Sequence, residues 1–367
     1  MVTKCKALQP KHNTQKEDIR MAHELAVTAG RHAMAYVGQK PWHGLGQELT
    51  PGASIETWIE EAGMNWDLES VPVMYYDPKS RQHAFRKNQQ ILLRSDTRED
   101  LSQVSTSYKI VQPKEVLEFY RDLTEAAGFE LETAGVLFNG QKYWALAKMP
   151  AELTLPGEDK IGAYLLLATS CDASMATTAQ FTTVRVVCNN TLQMSLSKRS
   201  RGVRVPHNRN FDADQVKKDL GLWQEQWDAF SNFTESAAQK KLSNSQAVEW
   251  LVKVYGDINL PLVEQTDATA RKVQSIFGLW NGDGMGSGLE SSQGTLWGLL
   301  NAVTEDTDHR GGYRSTDSRL DNSWFGSGRG VKERAVQAAQ QLLTGEEFFQ
   351  QVLNQPRVSE LQRLLAK

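Results

Sequence analysis

The sequence predicts an α+β fold: a β-β-β-α core with an additional hairpin, followed by an α-helical C-terminal region. Three observations carry this. Residues 68–111 hold three strand-like runs separated by turn-forming residues. A helix-patterned segment, PKEVLEFYRDLTEAAG (113–128), follows them directly. Beyond about residue 211 the apolar spacing becomes helical almost throughout. The chain divides accordingly into a leader (1–35), expected to be disordered in part, an α+β core (36–210) and a helical region (211–367).

The elements can be justified in order. KPWHGLGQ (40–47) combines Pro41, Gly44 and Gly46, which suggests a chain reversal plugged by Trp42. SIETWIEEA (54–62) reads as a helix capped by Ser54 and stopped at Gly63. Strands are expected at 68–76, 83–94 and 101–111, the first two joined through the turn residues DPKSRQ. Pro113 suits a first helical position, and Val116, Leu117, Tyr120 and Leu123 share one face of the helix it opens. FELETAGVLFNGQKYWALAKM predicts a hairpin with Asn139-Gly140 as a two-residue turn. Further strands are expected at 161–169 and within 180–196. Helices follow in 212–233, 244–255, 267–280, 293–303, 331–343 and 359–366, with Ser243 and Gln246 spaced as a capping box.

Bulk composition excludes several classes. The 367 residues carry a net charge of −3, so the chain as a whole does not coat a polyanion by overall charge. Cys5, Cys171 and Cys188 are too dispersed for a disulfide framework or a zinc ribbon, which points to a reducing cytoplasm. No apolar run approaches membrane-spanning length, and the polar leader does not resemble a secretion signal. Walker, nucleophile-elbow, HExxH and kinase signatures are all missing, and no cofactor is expected. Cys188 sits in the strand-like VRVVC, where a thiol is more often packing than nucleophile.

One local feature departs from this background. Between Asp172 and Asp212 there is no acidic residue, and the window holds Arg185, Lys198, Arg199, Arg201, Arg204 and Arg209. Arginines in such a run suit bidentate contacts to a phosphate backbone. The competing reading is a solvated loop whose cations pair with acids of the helical region. Trp42 and Tyr108 are the aromatic candidates for stacking on an unpaired base, and His43 is a candidate phosphate contact beside Trp42. The tryptophans of the helical region read as core or subunit contacts.

The one acid-rich cluster is TEDTDHR, expected just after a helix. Glu305, Asp308 and His309 are the candidates there for a divalent metal, against the reading of a solvated helix end with capping side chains. No metal site is assigned from the sequence.

PWHGLG, YKIVQPKEVLEFY, TTVRVVCNNTL, LNAVTEDTDHR and WFG, in that order, resemble the phage/plasmid-like protein family. It is a prokaryotic domain of unknown function carried by phages, plasmids and prophages. The resemblance runs from about Met21 to residue 343 and implies a mobile-element protein working near replication or recombination. At the level of fold, the β-β-β-α unit with its basic segment also looks like Rad52-like and Redβ-like single-strand annealing proteins. The function expected is therefore a nucleic-acid-binding protein, an ATP-independent factor that anneals single-stranded DNA and self-assembles into a homo-oligomer. Two alternatives stay open: a metal-dependent nuclease or other hydrolase, and an interaction protein acting on a host or defence component.

Overall fold

A computed structural model describes residues 27–28, 31–38, 45–185, 190–193, 202–220, 223–257, 260, 264–311 and 316–345. The described residues begin with strands β1 (Val27–Thr28), β2 (Arg31–His32), β3 (Met34–Val37) and β4 (Gln47–Leu49), then helix α1 (Ile55–Glu61). Strands β5 (Leu68–Asp77), β6 (Gln82–Arg94) and β7 (Asp100–Ser105) precede helices α2 (Pro113–Glu118) and α3 (Arg121–Ala126). The remaining strands are β8 (Glu130–Leu137), β9 (Lys142–Leu155), β10 (Asp159–Ser170), β11 (Thr177–Arg185), β12 (Asn190–Gln193) and β13 (Val203–Val205). The helical region follows with α4 (Ala213–Leu220), α5 (Trp223–Gln239), α6 (Asn244–Tyr255), α7 (Asp267–Gly278), α8 (Leu296–His309), α9 (Thr316–Trp324) and α10 (Ser327–Thr344). The fold is α+β, as the sequence predicts.

The main sheet has the order β12-β11-β10-β9-β8-β3-β4, with β13 also paired to β11. β9 and β10 form its centre, and their side chains alternate between two buried clusters as a two-residue period requires. Tyr143, Ala145, Ala147, Ala163 and Leu165 join the large core shared with the helices. Trp144, Leu146, Tyr164 and Leu166 pack on the other face, where Trp324 of α9 closes edge-on against Trp144. The core runs without interruption from the sheet into α6, α7, α8 and α10.

The sheet and the helices are also joined by a buried polar contact. Asp159 opens β10 and is fully buried; its carboxylate accepts from Ser291 Oγ at 2.6 Å and Trp297 Nε1 at 3.1 Å. The preceding turn comes so close to the helical region that a Cβ on Gly157 would meet the Glu290 backbone nitrogen at 3.0 Å.

Strands β5, β6 and β7 form a separate antiparallel sheet. Its base is fastened by Arg94, which stacks over Trp66 at 4.3 Å, donates to Asn139 O and clasps Asp96 through two nitrogens. That clasp holds the Asp96 carboxyl below its usual range. Away from the base, residues 74–77 and 82–85 continue as a two-stranded ribbon without a third strand.

Several expectations are corrected. The third strand of the β-β-β unit ends at Ser105, where Tyr108 N bonds back to Ser105 O in a turn. The helix after Pro113 breaks into α2 and α3 at Tyr120, whose buried hydroxyl donates to Ala145 O and Leu165 O. The β8–β9 hairpin closes through four residues, with positive φ at Phe138, Asn139 and Gly140, so Asn139-Gly140 is not a two-residue turn. β3 and β4, on either side of KPWHGLGQ, run parallel, and residues 40–44 of that stretch lie outside the described residues. In the segment 212–233, Ala213–Leu220 and the residues from Trp223 onward are helical as expected, and residues 221–222 lie outside the described residues. Residues 359–366 lie outside the described residues.

The Asp159 contact yields a test. Asp159→Ala strands two buried donors, at a cost of about 1–3 kcal/mol each. Urea denaturation is expected to show a loss of about 2–4 kcal/mol.

Candidate nucleic-acid interface

The acid-free window is built around β11. One side of β11 pairs with β10; the other pairs with β12 at Thr182–Arg185 and with β13 at Thr177–Ala179. Both ends of the basic run are thereby tied to the outer edge of β11: Gln193 lies opposite Thr182, and Val203 lies opposite Ala179. Gly202 makes the second attachment possible. It has φ of +84°, and a Cβ there would sit 2.5 Å from Ala179 O.

Arg204 projects from β13 opposite Thr178 and is exposed. Arg209 is exposed after a turn closed by Arg209 N to Pro206 O. Neither pairs with a carboxylate among the described residues. Arg185 ends β11 opposite Asn190, roughly 23 Å along the strand from the Arg204 register at ~3.3 Å per residue. Lys198, Arg199 and Arg201, and the side chain of Arg185, lie outside the described residues. So does Cys188.

One aromatic expectation changes. Tyr108 is not open to a base: its hydroxyl donates to Ser170 O, and its ring stacks on His207 at 4.4 Å. The two nitrogens of His207 face Lys109 O and Met175 O, so this histidine clips β11's neighbourhood to the segment after β7. Trp42 and His43 lie outside the described residues.

The acidic cluster is the larger surprise. α8 does not stop at Val303 but continues through His309, and Glu305, Asp306 and Asp308 are buried. The expectation of a solvated helix end is overturned. Each carboxylate turns to a different partner. Glu305 accepts from Met285 N and Arg310, Asp306 from Lys272, and Asp308 from Ser323 Oγ and Lys332. His309 Nδ1 meets Arg319 at 2.8 Å. Among the described residues no three metal-ligating side chains gather, so Glu305, Asp308 and His309 do not converge on one ion.

Asp308, Ser323 and Lys332 lie within 3.0 Å of one another in pairs, an arrangement that superficially suits a serine nucleophile with a lysine base. The hydrogen bonds run the wrong way for it. Ser323 gives its proton to Asp308, while Lys332 donates to Ser323 Oγ and so does not accept from it. All three side chains are buried.

A model of the DUF932 family, described as a domain of unknown function, matches residues 100–324, more than half of the chain. The chain belongs to the DUF932 family. The DUF932 match runs from β7 to α9, taking in the basic run and α8, while Trp42, His43 and the β5–β6 ribbon precede it. No curated protein and no solved structure matches the chain.

Sequence reasoning misses a second basic segment. No acid occurs from Pro78 to Ser95, a stretch carrying Lys79, Arg81, Arg86, Lys87 and Arg94. It escapes notice because it is short and strand-patterned, and only the structure reveals that its tip exposes large side chains on both faces.

The buried pair gives a second test. Lys332→Met leaves Asp308 without its ammonium and is expected to cost about 3–5 kcal/mol; adding Asp308→Asn is expected to recover part of that in a double-mutant cycle. Burial pushes the Lys332 ammonium below its ordinary value, against the pull of Asp308. The folded chain then holds this proton less tightly than the unfolded chain. Stability is expected to rise with pH from the lowered folded value towards the ordinary 10.5, and Lys332→Met to flatten that rise.

Proposed function

We propose that this DUF932 protein binds single-stranded DNA through the basic run at the β11 edge. In this reading it is an ATP-independent annealing or recombination factor of a phage or plasmid, acts in the cytoplasm and self-assembles. The observation that carries the reading is the state of Arg204 and Arg209: both are exposed, and neither has a carboxylate partner among the described residues. Had the run been a solvated loop neutralised by the helical region, these arginines would face its acids. Instead the acids of α8 are turned inward, each onto its own partner.

The mechanism is electrostatic. Arginines hold phosphates while the bases stay free to pair with a second strand, and counterion release drives binding. The sequence carries no nucleotide-binding motif, which fits a reaction driven by base pairing alone. No helix among the described residues is long and apolar enough to cross a membrane.

Fluorescence anisotropy with labelled single- and double-stranded oligonucleotides across a salt series tests the reading. Salt-sensitive binding to the single strand is expected. Arg199→Ala, Arg201→Ala and Arg204→Ala together are expected to weaken binding and to flatten the salt slope by about one unit for each phosphate-holding arginine removed. No binding at about 50 mM salt, where electrostatic attraction to phosphate is strong, would overturn it.

A further inference from the structure

The tip of the β5–β6 ribbon concentrates exposed apolar surface. Met74, Tyr75, Tyr76 and Phe85 are 54%, 50%, 54% and 61% exposed, and the other large hydrophobics exposed among the described residues, Leu260 and Met285, lie far away in sequence. The register pairs Met74 with Phe85 and Tyr76 with His83, so these four share one face, while Tyr75 opposite Ala84 occupies the other. His83 meets Tyr76 edge-on at 5.6 Å. Exposed aromatic rings on a two-stranded ribbon are a liability unless something covers them.

The charge around the rings selects the occupant. Lys79, Arg81, Arg86 and Lys87 surround the tip, all exposed, and none pairs with a carboxylate among the described residues. The one acid at the tip, Asp77, is spent on the turn: its carboxylate accepts from Lys79 N and Ser80 Oγ. Two such tips meeting in a symmetric dimer would bring like charges together. A single-stranded nucleic acid supplies both complements at once, phosphates for the cations and base faces for the rings.

We infer that the β5–β6 ribbon is a second nucleic-acid contact, on which Tyr75, Tyr76 and Phe85 stack unpaired bases while Lys79, Arg81, Arg86 and Lys87 hold the adjoining phosphates. This rests on the single-strand-binding reading above and adds to it a base-contacting arm separate from the phosphate-holding edge at β13. The sharp irregularity between Pro72 and Met74, where residues 86–89 of β6 oppose the single residue Val73, sets the tip apart from the sheet behind it.

The test uses the full chain and a labelled thymidine oligonucleotide of about 30 residues, read by anisotropy. The variant Tyr75→Ser/Tyr76→Ser/Phe85→Ser alters only exposed side chains, so its melting curve checks that folding is kept. Stacking losses of the usual size at three rings predict affinity at least about a hundred-fold weaker, with the salt slope unchanged. A second variant, Lys79→Ser/Arg81→Ser/Arg86→Ser/Lys87→Ser, is expected to flatten the slope. Tyr75→Phe/Tyr76→Phe, which keeps the rings, is expected to bind as the parent does. If the parent binds and both Ser variants bind equally well, the ribbon inference fails and the reading of the β11 edge stands. If the parent does not bind the oligonucleotide, both fail. Unchanged DNA affinity with a shifted oligomeric state by light scattering would reassign the ribbon to self-association. Unchanged DNA affinity with abolished binding to vesicles of anionic phospholipid would reassign it to a membrane surface. Either outcome overturns the inference.

Discussion

Burial of α8 is the constraint on which the rest of the structure depends. Residues 296–308 are buried without a break, and the last turns of this stretch carry Glu305, Asp306 and Asp308. Ionised carboxylates are tolerated at such depth only when each is paired and hydrogen-bonded. The partners come from separate places: Arg310 just past the helix, Lys272 on α7 and Lys332 on α10. Satisfying all three fixes α7 and α10 around α8. The apolar half of α8 carries Trp297, whose indole donates to Asp159 on β10 and so ties the same helix to the sheet. Ion pairs of this kind add little net stability over an apolar core, but they penalise wrong arrangements of the helices heavily.

This arrangement separates charge within a chain whose total is only −3. The buried acids of α8 are matched internally. Cations collect, without carboxylate partners among the described residues, at the β13 edge of the main sheet and at the tip of the β5–β6 ribbon. A slightly acidic protein can thus present local positive surfaces, because association responds to the local field and not to the sum.

Local signals in the sequence are reliable where the chain's own neighbours decide the structure. Ser54 and Ser243 cap helices as their spacing implies, and Pro113 opens one. The three strands from 68 onward start within a residue of where their pattern puts them. Failures occur where a distant contact decides. TEDTDH is polar enough to read as solvent-facing, and the cations at Lys272, Arg310 and Lys332 allow α8 to carry it into the core. Tyr120 fits a continuous helix by spacing, yet its hydroxyl is claimed by two carbonyls of the sheet, and the helix breaks there. Tyr108 reads as available for stacking, but His207, 99 residues away in sequence, lies on its ring. The α+β class survives these errors because it depends on the strand and helix periods alone. The candidate site is legible as a charge pattern, but which cations lack partners depends on where the acids fold.

The central claim is that nucleic acid lies against the two basic surfaces and not against the buried polar cluster of α8. Photo-cross-linking of the full chain to a bromodeoxyuridine-substituted single strand, followed by peptide mapping, tests this directly. The account predicts cross-links within residues 74–87 and 198–209. Cross-links confined to α8, α9 or α10, or none at saturating oligonucleotide, would contradict it.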